Sequence, residues 1–360
     1  MAQIDIRQLS HTYQDEAHAG DDFALRELDL SWQDGGAYAL LGPSGCGKST
    51  LLRVISGLLR PTRGQVLFDG QDVTHRTARE RHVAEVFQFP VVYETMSVFD
   101  NLAFPLLNRG MSKAAAAERV AEVAELLDLG GALRRKSSSL DAAARQLVSL
   151  GRGLVRTDVN AILFDEPLTV VDPQDKWILR TRLKQLHRTF GLTMVYVTHD
   201  QTEALTFAET VMVMRDGRIL QSGTPAELFN RPAHKFVGQF VGSPGMNFIP
   251  CESGDDGIEI HGQALPLHIP RHRETHAGPC ELGIRPEHLH LSRSTEGLAA
   301  KLLTVEETSR RKLAYLDLAG TSICVSLPQD EEIPADGHHV MFDSQHALIY
   351  SDERLLESAR

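Results

Sequence analysis

Nine consecutive residues, Gly42-Pro43-Ser44-Gly45-Cys46-Gly47-Lys48-Ser49-Thr50, constrain this chain more than any other stretch. A short apolar run, residues 37–41, precedes them, and an apolar-periodic segment, residues 51–59, follows. That order predicts a strand, a tight loop and a helix. The spacing G-x-x-x-x-G-K-S is that of a phosphate-binding loop. Its glycines let the backbone turn sharply and aim successive N–H groups inward. The helix behind the loop brings the positive end of its dipole to the same place. In such a loop the Lys48 ammonium reaches the β- and γ-phosphates of a nucleotide, and the Ser49 hydroxyl ligates Mg²⁺.

Around the loop, the chain alternates strand and helix signals. Residues 3–9 alternate apolar and polar and read as a strand, followed by Tyr13, an aromatic that could stack on a base. Residues 15–22 form a polar, glycine-containing loop, and residues 23–32 the returning strand. Arg60-Pro61 breaks the helix after the phosphate loop, and Asp69-Gly70 reads as a hairpin turn. Residues 83–87 form an apolar strand ending at Gln88. Residues 112–129 form an alanine-rich helix capped by Ser112 and stopped at Gly130-Gly131. A second helix starts after Asp141. Residues 159–164 and 192–197 are unbroken apolar runs, as in buried parallel strands, and end in Asp165-Glu166 and Thr198-His199-Asp200. Between them, residues 177–190 read as a basic amphipathic helix. Beyond about residue 240 the pattern changes to short apolar alternations between Gly, Pro and charged turns, the mark of a small all-β barrel. The expected division is therefore 1–240, an α/β nucleotide domain, and 241–360, a β domain.

Bulk properties exclude some functions. A net charge of −11 argues against a nonspecific nucleic-acid binder. The four cysteines show no C-x-x-C spacing, and Cys46 sits inside the phosphate loop, so a reducing cytosol is expected. No apolar run approaches the roughly eighteen residues that span a bilayer, and the first ten residues lack the apolar core of a signal peptide. Any membrane role is expected to come through a partner.

Four residues complete the chemistry of the loop. Asp165 closes an apolar strand and can hold Mg²⁺. Glu166 supplies a second carboxylate that can polarise a water for in-line attack. Gln88 can reach Mg²⁺ or that water as a neutral ligand, and His199 can hydrogen-bond the γ-phosphate. All sit at strand ends, where open α/β sheets bind their ligands. Singly these signals are weak, since the chain has sixteen histidines and most histidines are structural or solvated. Their order relative to the phosphate loop is what is specific.

The set G-P-S-G-C-G-K-S-T, Phe87-Gln88, I-L-F-D-E-P-L and V-T-H-D resembles the ATP-binding subunits of ATP-binding-cassette transporters. The later motifs Gly242-Ser243-Pro244-Gly245-Met246-Asn247 and Leu282-Gly283-Ile284-Arg285-Pro286-Glu287 resemble importer ATPases of the maltose, glycerol-3-phosphate and glycerol type. The resemblance implies a RecA-like α/β core with an antiparallel β subdomain and a helical subdomain, then an OB-like all-β regulatory domain. It assigns Tyr13 to adenine stacking, Gln88 to coupling, Glu166 to catalysis and His199 to the switch. It implies ATP and Mg²⁺ as ligands and a place on the cytoplasmic face of an inner membrane. Two permease subunits would dock near residues 89–96, and a periplasmic solute-binding protein would deliver a sugar or polyol, glycerol being favoured. No nucleic acid is expected. A non-transport ATPase switch is the alternative from another class, and the acidic charge and the aromatic 89–96 segment weigh against it. A regulatory subunit that binds ATP but hydrolyses it poorly is a further one, and a homodimeric sugar-importer ATPase another.

One motif departs from the family. Its signature is L-S-G-G-Q, and the matching residues are Leu140-Asp141-Ala142-Ala143-Ala144. In the family that motif reaches across a head-to-tail dimer to the γ-phosphate of the partner's ATP. Here a carboxylate would face the phosphate. At an effective dielectric of 20, like unit charges about 4 Å apart repel by about 4 kcal/mol. Asp141 is also simply a good N-cap. The neighbouring loop reads Thr169-Val170-Val171-Asp172 where the family has S-A/N-L-D. The expected consequence is an asymmetric heterodimer, in which a second ATPase subunit with an intact signature completes the site built on Lys48, Glu166 and His199.

Overall fold

The computed structural model describes residues 2–14, 23–254, 257–260, 262–265, 280–292, 297–333 and 338–356. The polar loop expected at residues 15–22 lies outside them. In chain order the first part contains β1 (Ile4–His11), β2 (Leu25–Trp32), β3 (Ala37–Leu41), α1 (Lys48–Ser56), β4 (Arg63–Phe68), β5 (Gln71–Asp72) and β6 (Val83–Val86). Then come α2 (Val98–Leu107), α3 (Lys113–Leu126), α4 (Ala142–Leu154), β7 (Ala161–Asp165), α5 (Pro173–Phe190), β8 (Met194–Thr198), α6 (Gln201–Phe207), β9 (Thr210–Arg215) and β10 (Arg218–Gly223).

The apolar runs β3, β7 and β8 are buried almost throughout, which explains why they do not alternate. They lie side by side in a six-stranded sheet of order β10-β9-β3-β8-β7-β6. β3 pairs in parallel with β8 and β9, and β7 in parallel with β6 and β8. The carboxyl ends of β3, β6, β7 and β8 therefore share one sheet edge. A second, antiparallel sheet has the order β2-β1-β4-β5. Its strands do alternate, and the inward residues Ile4, Ile6, Leu9, Leu28 and Trp32 share one core with Leu40 of β3 and with Leu51, Leu52 and Ile55 of α1. That core seats α1 directly behind the phosphate loop. Asp69-Gly70 and Asp216-Gly217 turn their hairpins with both residues at positive φ (49° and 74°; 49° and 75°), the conformation their sequence predicts.

Helix α1 stops earlier than the sequence suggests. Gly57, at φ 82°, takes the left-handed C-cap position, before Arg60-Pro61 is reached. α2 is not legible in the sequence, because Pro105 lies inside it. Ser97 starts it by accepting a hydrogen bond from the Asp100 N–H at 3.0 Å. α2 and α4 pack closely at Gly151, where a Cβ would lie 2.6 Å from Leu102 Cδ2.

The chain divides into two compact units, Met1–Pro225 and Ala226–Arg360. The division falls before the expected 240/241 position because the next helices make their contacts with the β strands. These are α7 (Pro225–Asn230) and α8 (Lys235–Phe240), the latter missed from sequence. They are followed by β11 (Asn247–Gly254), β12 (Gly257–Ile260), β13 (Gln263–Leu265), β14 (Cys280–Ile284), β15 (Leu289–Ser292) and β16 (Leu298–Glu307). The last strands are β17 (Arg311–Leu318), β18 (Thr321–Pro328), β19 (His338–Phe342), β20 (Leu348–Ser351) and β21 (Arg354–Leu355). Two antiparallel sheets result, β13-β12-β11-β14-β20-β21 and β15-β19-β16-β17-β18, around a core that includes Ile249, Leu282, Leu316 and Val325. The Arg285 guanidinium is buried and ties α7 and α8 to this unit. It donates to the Phe229 carbonyl at 2.8 and 3.2 Å, to Gly238 at 3.1 Å and to Val241, and it lies 4.1 Å over the Phe229 ring. Lys235 pairs with Glu281 at 2.6 Å. Among the described residues, no helix is long and apolar enough to cross a membrane.

Candidate active site

The phosphate loop joins β3 to α1, and two of its glycines are required by close approach. A Cβ on Gly42 would collide with the Met214 carbonyl oxygen and lie 2.9 Å from Cys46 Sγ. Gly47 is at φ 103°, and a Cβ there would strike the Ala24 carbonyl oxygen. Gly45 differs: at φ 81° its Cβ direction meets nothing within 4 Å, leaving open space over the loop. The Lys48 side chain is buried and curls into the loop, donating to the Gly42 carbonyl at 2.8 Å and the Pro43 carbonyl at 2.9 Å. Its ammonium is thus held where phosphate oxygens can replace those carbonyls. Tyr13 stands at the same end of α1. Its hydroxyl is 3.1 Å from Thr50 Oγ1, its ring meets His11 at 85° with centroids 4.8 Å apart, and it is 62% exposed.

The strand-end residues converge on the loop. Ser49 Oγ donates to Asp165 Oδ1 at 2.9 Å, so a hydroxyl and a carboxylate stand side by side. Burial pushes the Asp165 carboxyl up; the Ser49 hydrogen bond opposes this and the charge of Glu166 adds to it. A carboxylate destabilised in this way, beside a hydroxyl oxygen, is a donor set suited to a hard cation such as Mg²⁺. Glu166 follows at φ 47°, its N–H bonded to the Val197 carbonyl at 2.9 Å. Its Oε2 lies 3.0 Å from His199 Nδ1 and accepts from Thr169 Oγ1 at 3.3 Å. Thr169 occupies the first position of the drifted T-V-V-D loop, so its hydroxyl does local work there. Gln88 leaves β6 beside β7, where Val86 pairs with Phe164. Its side chain makes no hydrogen bond among the described residues.

Behind His199 is a buried network that the sequence does not reveal. Glu203 accepts from Tyr196 Oη at 3.1 Å and Thr198 Oγ1 at 2.8 Å, and its other oxygen is 3.2 Å from Lys176 Nζ. Asp200 caps α6 through the N–H groups of Thr202 and Glu203. Together these fix the 198–200 turn that presents His199.

The 89–96 segment is held by its backbone and by the Tyr93 ring, which packs 4.8 Å from Phe104, while other side chains face outward. Val91 N–H donates to Ser149 Oγ at 3.1 Å, and Arg152 donates to the Val91 carbonyl. Buried Asn101 accepts from the Tyr93 N–H at 2.8 Å and donates to the Tyr93 carbonyl at 2.9 Å. Phe89 is 67% exposed, and Val91 and Tyr93 are exposed beside it. At the signature position, Asp141 is the N-cap of α4, its Oδ1 accepting from the Ala144 N–H at 2.7 Å. The carboxylate thus sits over the N-terminus of α4, the end of a helix that favours an anion.

The ABC transporter family profile matches residues 25–169, and the MalK OB fold domain profile matches residues 242–289. The chain is 42% identical over 316 residues to the sn-glycerol-3-phosphate import ATP-binding protein UgpC of Yersinia pestis, covering 87% of this chain and 88% of that one. This chain belongs to the ABC transporter ATP-binding family. Similarity to UgpC of Vibrio cholerae, 38% over 369 residues, spans 99% of this chain and 96% of that protein. Among solved structures, cbiO1 from Clostridium perfringens, part of the ABC transporter complex cbiONQ, shares the fold. Its TM-score is 0.58 at 24% identity, covering 63% of this chain and 90% of that one. An ABC transporter ATP-binding cassette in its ADP conformation gives 0.53 at 25% identity, covering 62% and 91%. The chain is thus an ATP-hydrolysing ABC importer subunit, and the α/β ATPase core followed by an OB-type β domain is the expected fold.

Proposed function

We propose that this ABC importer ATPase drives uptake of a small phosphorylated polyol, with sn-glycerol-3-phosphate, the solute in its relatives' names, preferred over glycerol. The observation that carries the catalytic part is the meeting, at one sheet edge, of Lys48, the Ser49–Asp165 pair and the Glu166–His199 pair. Tyr13 stacks on adenine, the loop N–H groups and Lys48 hold the phosphates, and Glu166 accepts a proton from the attacking water. His199, with Nδ1 turned to Glu166, presents Nε2 toward the γ-phosphate. Ser49 and Asp165, with Gln88 as a neutral neighbour, would hold Mg²⁺, which when bound neutralises phosphate charge. In cells, deleting this chain is expected to abolish uptake of labelled sn-glycerol-3-phosphate. Loss confined to glycerol would select the glycerol reading, and unchanged uptake of both would contradict the cargo assignment.

The outward aromatic face at residues 89–96 supports docking of two permease subunits on the cytoplasmic side of the inner membrane, with a periplasmic binding protein acting through them. Phe89→Glu is expected to leave ATP binding by the isolated chain unchanged and to abolish its co-purification with membranes. Retention on membranes would place the docking face elsewhere. Asp141 at the head of α4 supports the finer reading that this subunit works against a second ATPase subunit with an intact signature.

A further inference from the structure

A second cluster of chemically active side chains lies in the β unit and uses no residue of the phosphate site. His288 closes the short turn Pro286–His288, and His346 closes the turn Ser344–His346. Asp343 sits at the head of the second turn, its carboxylate accepting from the Gln345 N–H at 3.1 Å. Its own N–H donates to the His288 carbonyl at 3.0 Å, which bolts the two turns together. The two imidazoles then stack face to face, with centroids 3.7 Å apart and planes 5° from parallel. Asp343 Oδ2 lies 2.9 Å from His346 Nδ1. One donor atom from each of the three residues lies within 4.8 Å of the other two.

We propose that His288, Asp343 and His346 bind a first-row divalent cation of the zinc type, with water in the fourth position. Two imidazole nitrogens and one carboxylate oxygen are the donor types of such a cation; Mg²⁺ prefers oxygen throughout. A tetrahedral shell with bonds of about 2.0–2.2 Å brings neighbouring donors to roughly 3.3 Å, and a metal lies in the plane of each imidazole it binds, so one ring must turn out of the stack for both to reach a single cation. His346, exposed at the end of its turn, is the ring that would turn, exchanging its stack on His288 for a bond to the metal. The alternative is purely structural: Asp343 caps its turn and orients His346, and no ion is involved. The two differ in what the residues do to added metal. Bound there, the cation ties together turns far apart in the chain, and it stabilises the folded β unit because the unfolded chain does not assemble the site.

The test uses the untagged full-length chain, stripped with chelator and free of nucleotide, titrated calorimetrically with Zn²⁺ alone and followed with Co²⁺ by visible absorption. Expected are a single saturable equivalent, an intense tetrahedral Co²⁺ band and a higher melting temperature with Zn²⁺. His346→Gln, an exposed substitution, and Asp343→Asn are each expected to weaken Zn²⁺ binding about tenfold or more, with loss of the Co²⁺ band. His288→Gln is expected to do the same where it folds, and His346→Gln decides the matter where it does not. No saturable binding, or unchanged affinity in both His346→Gln and Asp343→Asn, would overturn the proposal.

Discussion

Replacing Glu166 with Gln is expected to lower steady-state ATP hydrolysis about 100- to 10,000-fold, the range spanned by loss of a positioned general base. Gln keeps the size of the side chain and can still hydrogen-bond His199, now 3.0 Å away, and Thr169. It cannot take a proton from water. ATP affinity should therefore stay close to that of the wild-type chain, since no phosphate contact is removed. Single-turnover phosphate release, set beside equilibrium nucleotide binding, separates the two effects. A variant that keeps near-wild-type turnover would remove Glu166 from the chemistry and leave it a partner of the His199 turn.

Lys48→Ala is expected to act on binding as well as on rate. The ammonium is poised inside the loop by the Gly42 and Pro43 carbonyls, at 2.8 and 2.9 Å, and phosphate oxygens are better partners than neutral carbonyls. A hydrogen bond to a charged group is worth about 1.5–3 kcal/mol, so ATP affinity should fall about 10- to 100-fold. The turnover number should fall further, because the lost charge also faces the transition state. A normal dissociation constant for ATP in this variant, measured by fluorescent nucleotide displacement, would contradict the placement of the phosphates over the loop.

The contrast between these two variants reflects how the site is built. Lys48 and Ser49 belong to one local motif, in which loop, helix start and phosphate chemistry are encoded within a few neighbouring residues. That part was legible in the sequence. Asp165, Glu166 and His199 were legible because each ends an apolar run, and parallel strands bring such ends to one edge. The Glu203 network was not. It needs Lys176 on α5, Tyr196 and Thr198 on β8 and Glu203 on α6 to meet in space, and no local pattern announces that. α2 was hidden for a similar reason. Pro105 and the exposed aromatics before it read as loop, whereas tertiary bonds through Asn101 hold both helix and loop in place. In the β unit, the alternation of strands was plain. The stack of His288 on His346, formed by two turns distant in sequence, was not.

The departure at Leu140-Asp141-Ala142-Ala143-Ala144 was visible at once, and its structural half is simple. Asp141 makes α4 start well, as any good N-cap does. In the asymmetric dimer proposed above, the same carboxylate would meet the partner's γ-phosphate. A direct measurement is steady-state ATPase activity of the wild-type chain alone and mixed with a copy carrying Asp141→Ser, Ala142→Gly, Ala143→Gly, Ala144→Gln and Glu166→Gln. That copy offers a restored signature but has no base of its own, so hydrolysis in the mixture must come from the wild-type phosphate loop, Glu166 and His199. The expected result is slow turnover alone and a rise of about tenfold or more on mixing, as relief of like-charge repulsion allows. Equal rates alone and mixed would remove the asymmetric pairing, and no hydrolysis above the Glu166→Gln background in either sample would contradict the account of this site as a working ATPase.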